Sequence, residues 1–184
     1  MRAYFEGVIA RSIVVLALLA PAACSTAPQS EGGKVIIQNQ SARSVATAKK
    51  NDPSLARVLE EAAGYAVFPN VGKGAVAIGG AYGRGVLYEG GEFAGYCDLT
   101  QASIGFALGG QEYTEIIAFK TQDALSSFKN GTFEFGAQAT AVALYSGAGA
   151  NARYSGGVAV FTMDEAGLMY EASIGGQSFS YQAK

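Results

Sequence analysis

Histidine is absent from the 184-residue chain, and with it the side chain most used for proton transfer near neutral pH and the commonest metal ligand. Any catalytic reading starts without its usual base. Charge is scarce as well: 15% of residues are charged and the formal net charge is −2, so no basic footprint for nucleic acid exists across the chain. There are 2 cysteines, Cys24 and Cys97, too few for a disulfide framework. Proline is rare, with 4 residues against 25 glycines, and the glycines follow no collagen period, which assigns them to turns and bulges of a β-rich protein. Hydrophobic residues make up 49%, which excludes disorder as the main state, and the length suits one domain.

A long apolar run is also missing. Arg2 and Arg11 precede Ile13-Val14-Val15-Leu16-Ala17-Leu18-Leu19-Ala20, which falls short of the roughly 20 residues that span a bilayer. A positive start, a short apolar stretch and small residues at Pro21-Ala22-Ala23 describe an export signal over residues 1–23. Ala22 and Ala23 before Cys24 resemble a bacterial lipobox, in which the cysteine is acylated and becomes the new N-terminus. Pro21 departs from that pattern, and ordinary cleavage after Ala20-Pro21-Ala22 is the alternative. Ser25 resembles the sorting residue of lipoproteins sent to the outer membrane. Loss of residues 1–23 leaves 11 basic and 14 acidic side chains, a net of −3. With Cys24 acylated, Cys97 is a thiol without a partner. With Cys24 free, a bridge between them becomes available.

The expected domain organisation is a signal at 1–23, a lipidated tether at 24–40 and a folded domain at 41–184. Residues 25–34 are small and polar and read as the tether. Ser41 to Lys50 reads as a helix. A second helix follows, with Asp52 as N-cap, Pro53 at the first position, Leu55, Val58, Leu59, Ala62 and Ala63 on one face, and Gly64 as the stop. From Tyr65 onward short strands alternate with glycine: 65–68, 75–80, 85–88, 103–108, 113–119, 133–145, 157–162, 168–174 and 178–181. Turn residues stand at 89–92, at Gly109-Gly110 and at 164–167. One helix interrupts them, capped by Thr121, with Ala124, Leu125 and Phe128 on one face and Asn130-Gly131 as its end. The expectation is an α+β fold: a strongly bent antiparallel sheet or partial barrel, with helices over one face or end.

Chemical motifs are weak. The glycine-rich stretch from Gly72 to Gly85 lacks the spacing of either nucleotide fingerprint. Ser126-Ser127-Phe128-Lys129 matches S-x-x-K, but the accompanying Ser-Asp-Asn and Lys-Thr-Gly elements are missing. Carboxylate pairs at Glu60/Glu61, Glu89/Glu92, Glu112/Glu115 and Asp164/Glu165 read as solvated groups on turns and a helix surface. No metal-ligand spacing occurs, and no cofactor is implied. What remains is a set of basic residues in the first half of the mature chain, including Lys34, Arg43, Lys49, Lys50, Lys73 and Arg84. Such residues beside an amphipathic helix suit anionic headgroups, and scattered surface charge is the plainer alternative.

Ala62-Ala63-Gly64-Tyr65-Ala66-Val67-Phe68-Pro69-Asn70-Val71-Gly72-Lys73-Gly74, continued by Gly79-Gly80-Ala81-Tyr82-Gly83-Arg84-Gly85-Val86-Leu87, resembles the opening motif of the SYLF family, also called the Ysc84 actin-binding domain. A second block is similar to it: Ser103 to Gln111, then Ile116-Ile117-Ala118-Phe119, Ala124-Leu125 with Phe128, and Phe135-Gly136-Ala137-Gln138. The resemblance runs from about residue 41 to the end. It implies a non-catalytic module that binds anionic or phosphoinositide-like lipid through an N-terminal helix and nearby basic residues. It also implies an actin partner where the protein meets a host cell. Lys73 and Arg84 fall in the matching motif, and Arg43, Lys49 and Lys50 in the matching helical region. Ala42, Ala46 and Ala48 make that helix less apolar than deep bilayer insertion requires. A structural or protein-interaction lipoprotein, a small outer-membrane β-barrel and an enzyme are the competing readings.

Overall fold

Thirteen residues of alternating and glycine-broken sequence from Gly64 form the first strand of an eight-stranded sheet. A computed structural model of the chain describes residues 25–76, 78–103, 109–135, 140–144, 147–164, 171–173 and 176–184. The helices are α1 (Glu31–Asn51), α2 (Leu55–Glu61) and α3 (Gln122–Lys129). The strands are β1 (Gly64–Val76), β2 (Ile78–Glu89), β3 (Glu92–Ser103), β4 (Gly109–Phe119), β5 (Thr140–Ala143), β6 (Val158–Asp164), β7 (Glu171–Ser173) and β8 (Gln177–Ala183). They form one sheet in the order β7-β5-β6-β4-β1-β2-β3-β8. All neighbours pair antiparallel except β5 and β6, which are parallel.

The sheet is strongly curled. In a flat sheet β4 and β8, four positions apart, would be separated by about 19 Å. Instead Gln177 on β8 donates to Glu115 on β4 at 3.0 Å, and the rings of Phe68 on β1 and Phe179 on β8 lie 6.0 Å apart. The gap between the sheet edges is narrowed by an isolated bridge of Glu134 to Ser178 and by the Gly176 amide donating to the Phe135 carbonyl. The expected α+β arrangement is thus present, as a nearly closed curl with helices on both sides.

Period-two alternation sorts the side chains. The concave side holds Phe68, Leu87, Cys97, Leu99, Ile117, Phe119 and Phe179, and α3 adds Ala124, Leu125 and Phe128. The convex side holds Val67, Ile116, Ala118 and Phe161, covered by Ala48 of α1 and Leu55 and Leu59 of α2. Val86 and Tyr96 lie under Ile37 of α1. Helix α1 therefore crosses the convex face diagonally: Gln38 donates to the Tyr96 hydroxyl on β3, and Asn51 reaches Met163 on β6.

Several boundaries differ from the sequence reading. Helix α1 begins ten residues before Ser41, because the Ser30 hydroxyl accepts from the Gly33 amide and Glu31 sits in the first turn at the positive end. The stretch read as a tether, 24–40, thus includes nearly three helical turns, and Thr26, Ala27 and Pro28 before them are buried. There Ser25 and the Ala27 amide bond Gln182, and Thr26 pairs with Ser180, all on β8. Asp52 does not cap α2, whose N-cap is Ser54. Strand β3 was missed because its inward positions Gly95 and Cys97 are small. Gly95 has to be: a Cβ there would stand 2.3 Å from the Gln182 carbonyl. Gly109-Gly110, read as a turn, lies in β4, whereas Gly90-Gly91 is the expected turn, with φ of 59° and 81°. The Thr121 cap of α3 is present, accepting from the Ala124 amide.

Candidate functional site

Helix α1 buries a narrow stripe, Ile37, Ser41 and Ala48, and turns Val35 and Ile36 outward. Val35 and Ile36 are 56% and 58% exposed. Seven-residue spacing places Ile36, Arg43 and Lys50 on one face, and all three are exposed. Ile36 and Lys50 are about 21 Å apart along the axis at 1.5 Å per residue. The outward face is therefore apolar in its first turns and basic in its last. Among the described residues Arg43 and Lys50 form no salt bridge, and both side chains are exposed.

Lys49 lies at the side of that face and lines a groove of about 310 Å³ with Leu59, Glu60 and Ala62 of α2, Gly64 and Tyr65 of β1, and the Gly90-Gly91 turn. Tyr65 stacks on Tyr88 with ring centroids 5.0 Å apart, and burial pushes its phenol above the usual range.

Arg84 is placed differently. Its Nε donates to Asp98 at 3.2 Å and its Nη2 to the Tyr82 hydroxyl at 3.2 Å, on the convex face next to α1. Burial pushes the Asp98 carboxyl up despite these partners. The Arg84 charge is thus engaged within the sheet. The backbone of Lys73 pairs with Ala81 and Gln111 in β1. Its side chain lies outside the described residues, as does Cys24. The structure brings Arg43, Lys49 and Lys50 together on the last two turns of one helix and leaves Arg84 in a separate polar triad.

Sequence reasoning misses the outward Val35 and Ile36, because residues 25–34 before them are small and polar and the alanine-rich helical pattern begins only at Ser41. It also misplaced Glu115. Glu112 is exposed as expected, but Glu115 is fully buried on the concave side, where the Gln177 amide meets it. Gln101, Tyr113, Thr162 and Gln177 are buried on the same side. Strand alternation was the available signal, since Tyr113, Glu115, Ile117 and Phe119 share one face. Cys97 is buried among the concave apolar residues, and burial pushes its thiol well up. Ser126 is exposed, and its S-x-x-K partner Lys129 is held by Glu89. Among the described residues no cluster of three metal-binding side chains occurs, and no helix is long and apolar enough to cross a membrane.

Comparison with known proteins bears on the same region. Beta cell expansion factor A of Aeromonas veronii is 28% identical over 129 residues, which is 69% of this chain and 49% of that protein. The chain thus spans about half the length of that relative. The first block of the SYLF resemblance, carried by β1 and β2, stands before the region matched by the family profile, and the second block begins within it. From the end of β3 through β8, residues 100–184, the chain matches the Ysc84 family, described as Las17-binding protein actin regulator.

Proposed function

We propose that this chain is an exported lipoprotein, acylated at Cys24 and held at the outer membrane, whose SYLF-like domain binds anionic lipid surfaces without catalysing a reaction. The observation that carries the reading is the outward face of α1, where the exposed Val35 and Ile36 precede Arg43 and Lys50, which are exposed and without a salt bridge among the described residues. An apolar patch beside free cations suits a helix lying flat on headgroups. Each cation near an anionic surface contributes about 1 kcal/mol, so two account for roughly thirtyfold in affinity. Arg84 is not assigned to lipid, because Asp98 and Tyr82 already occupy it.

The test is co-sedimentation of the full chain carrying Cys24→Ser with neutral and with anionic vesicles. Recovery should favour anionic vesicles at low salt and fall as salt is added. Arg43→Glu with Lys50→Glu should reduce it at least tenfold. Equal recovery on both vesicle types would overturn the lipid reading. The second reading is a protein-interaction lipoprotein, favoured by the family description, which names a protein partner. An actin-like partner requires contact with a host cell. Mass spectrometry of the purified N-terminus decides the anchoring.

A further inference from the structure

The groove beneath the end of α1 holds opposite charges that do not meet. Lys49 and Glu60 both line it, yet neither forms a salt bridge or a side-chain hydrogen bond among the described residues. At its far edge the Gly90-Gly91 turn has positive φ at both residues and open space where side chains would stand. Among the described residues neither turn amide donates to a backbone carbonyl outside the strand ladders. The adjacent Glu89 is taken up by Lys129 and Gln122. The remaining wall is the half-buried ring of Tyr65, fixed by its stack on Tyr88.

These groups divide into two halves. Lys49 and the two free amides attract an anion, and backbone N–H groups of a turn with positive φ are a recurrent anion cradle. Glu60 and the Tyr65 ring attract a cation, by charge and by the ring face. A simple anion satisfies Lys49 and is repelled by Glu60, while a simple amine does the reverse. We propose that this groove binds a zwitterion carrying a phosphate and a primary ammonium on one short chain, the chemistry of a phosphoethanolamine group. The phosphate lies on Lys49 and the turn amides, and the ammonium on Glu60 against Tyr65. The volume of about 310 Å³ accommodates such a group and lies in the lower range of small-molecule sites. This assignment does not rest on the anionic-surface reading, because it uses neither Arg43 nor Lys50.

Calorimetric titration of the full chain carrying Cys24→Ser compares O-phosphoethanolamine, inorganic phosphate and ethanolamine. The zwitterion should bind at least tenfold more tightly than either half, and Lys49→Gln and Glu60→Gln should each remove that advantage. Equal affinity for phosphate alone, or unchanged zwitterion binding in Glu60→Gln, would overturn the proposal, as would no binding by any probe. Vesicles of phosphatidylethanolamine diluted in phosphatidylcholine distinguish the source. Recovery that depends on Lys49 and Glu60 identifies a membrane headgroup. Its absence, with the free compound still bound, identifies a soluble aminophosphate. Failure on anionic vesicles would remove the proposed surface binding and leave this result intact.

Discussion

Asp52 shows how one residue can exchange a local role for a tertiary one. Its position before Pro53 made it the natural cap of α2, since a carboxylate there meets free amides. The structure sets the side chain between Ser54, the N-cap of α2, and the segment 147–149, and buries it completely. It accepts from the Ser54 amide at 3.0 Å and the Ser54 hydroxyl at 2.6 Å, and from the Gly147 amide at 3.1 Å and the Gly149 amide. Gly149 comes so close that a Cβ would stand 2.7 Å from the Leu55 nitrogen. Burial raises the carboxyl, but the Ser54 hydroxyl and the amides of Gly149, Gly147 and Ser54 together hold it below its usual range. A depressed folded value means the stabilisation is complete above the unfolded value of about 3.9 and is lost as pH falls through the lower folded one. Asp52→Asn should therefore cost about 2–3 kcal/mol at pH 7. In denaturant unfolding, the gap between wild type and variant should narrow below about pH 4. A gap that stays constant with pH would show that the carboxylate charge is not what matters. Residues 147–149 are remote in sequence, and for that reason no local pattern pointed to this bracket.

At the scale of elements, legibility followed how local each signal was. Helix α3 was readable because Thr121, Asp123, Leu125, Phe128 and Gly131 place cap, charge, stripe and stop within eleven residues. Helix α1 was half readable, because two glycines at 32 and 33 mimic a linker while Ser30 caps the turn that contains them. Strands β1 and β2 were found only as fragments. They are continuous for 13 and 12 residues because glycine permits a bulge and close packing between them. The register shifts between Val67 and Asn70, and a Cβ on Gly85 would lie 2.2 Å from the Val67 carbonyl and 2.8 Å from the Phe68 ring. Gly85→Ala should lower stability by about 2–3 kcal/mol through overpacking. Gly72→Ala, where a Cβ meets nothing within 4 Å, is the control with little effect. Similar melting of both variants would contradict the packing account.

Across the whole molecule, the class and the curl were legible while the contents of the curl were not. Glycine-broken strands with flanking helices foretold a bent α+β fold, but nothing local foretold which strands would face one another across the interior. The Gln177–Glu115 hydrogen bond is the clearest case, because it joins strands separated by three others. A buried polar contact across a curled sheet stabilises one closure over alternatives that would leave the carboxyl without that amide. Gln177→Leu should cost about 1–3 kcal/mol, and amide exchange on β8 should rise more than on β1. Uniform exchange across both strands would show that the contact adds stability without holding the edges together. The candidate site was legible in part for a related reason. Charge on α1 is local, whereas Asp98, which engages Arg84, comes from the neighbouring strand β3, and the turn that completes the Lys49 groove lies about forty residues on.

The bonds from Ser25 and Ala27 to Gln182 make the beginning of the folded chain and its last strand neighbours. A leash fixed at residue 24 would therefore pull directly beside β8. Force applied there would shear β8 against β3, and because Phe128 of α3 packs on Phe179 of β8 the load would pass into the interior of the curl as well as its outermost seam.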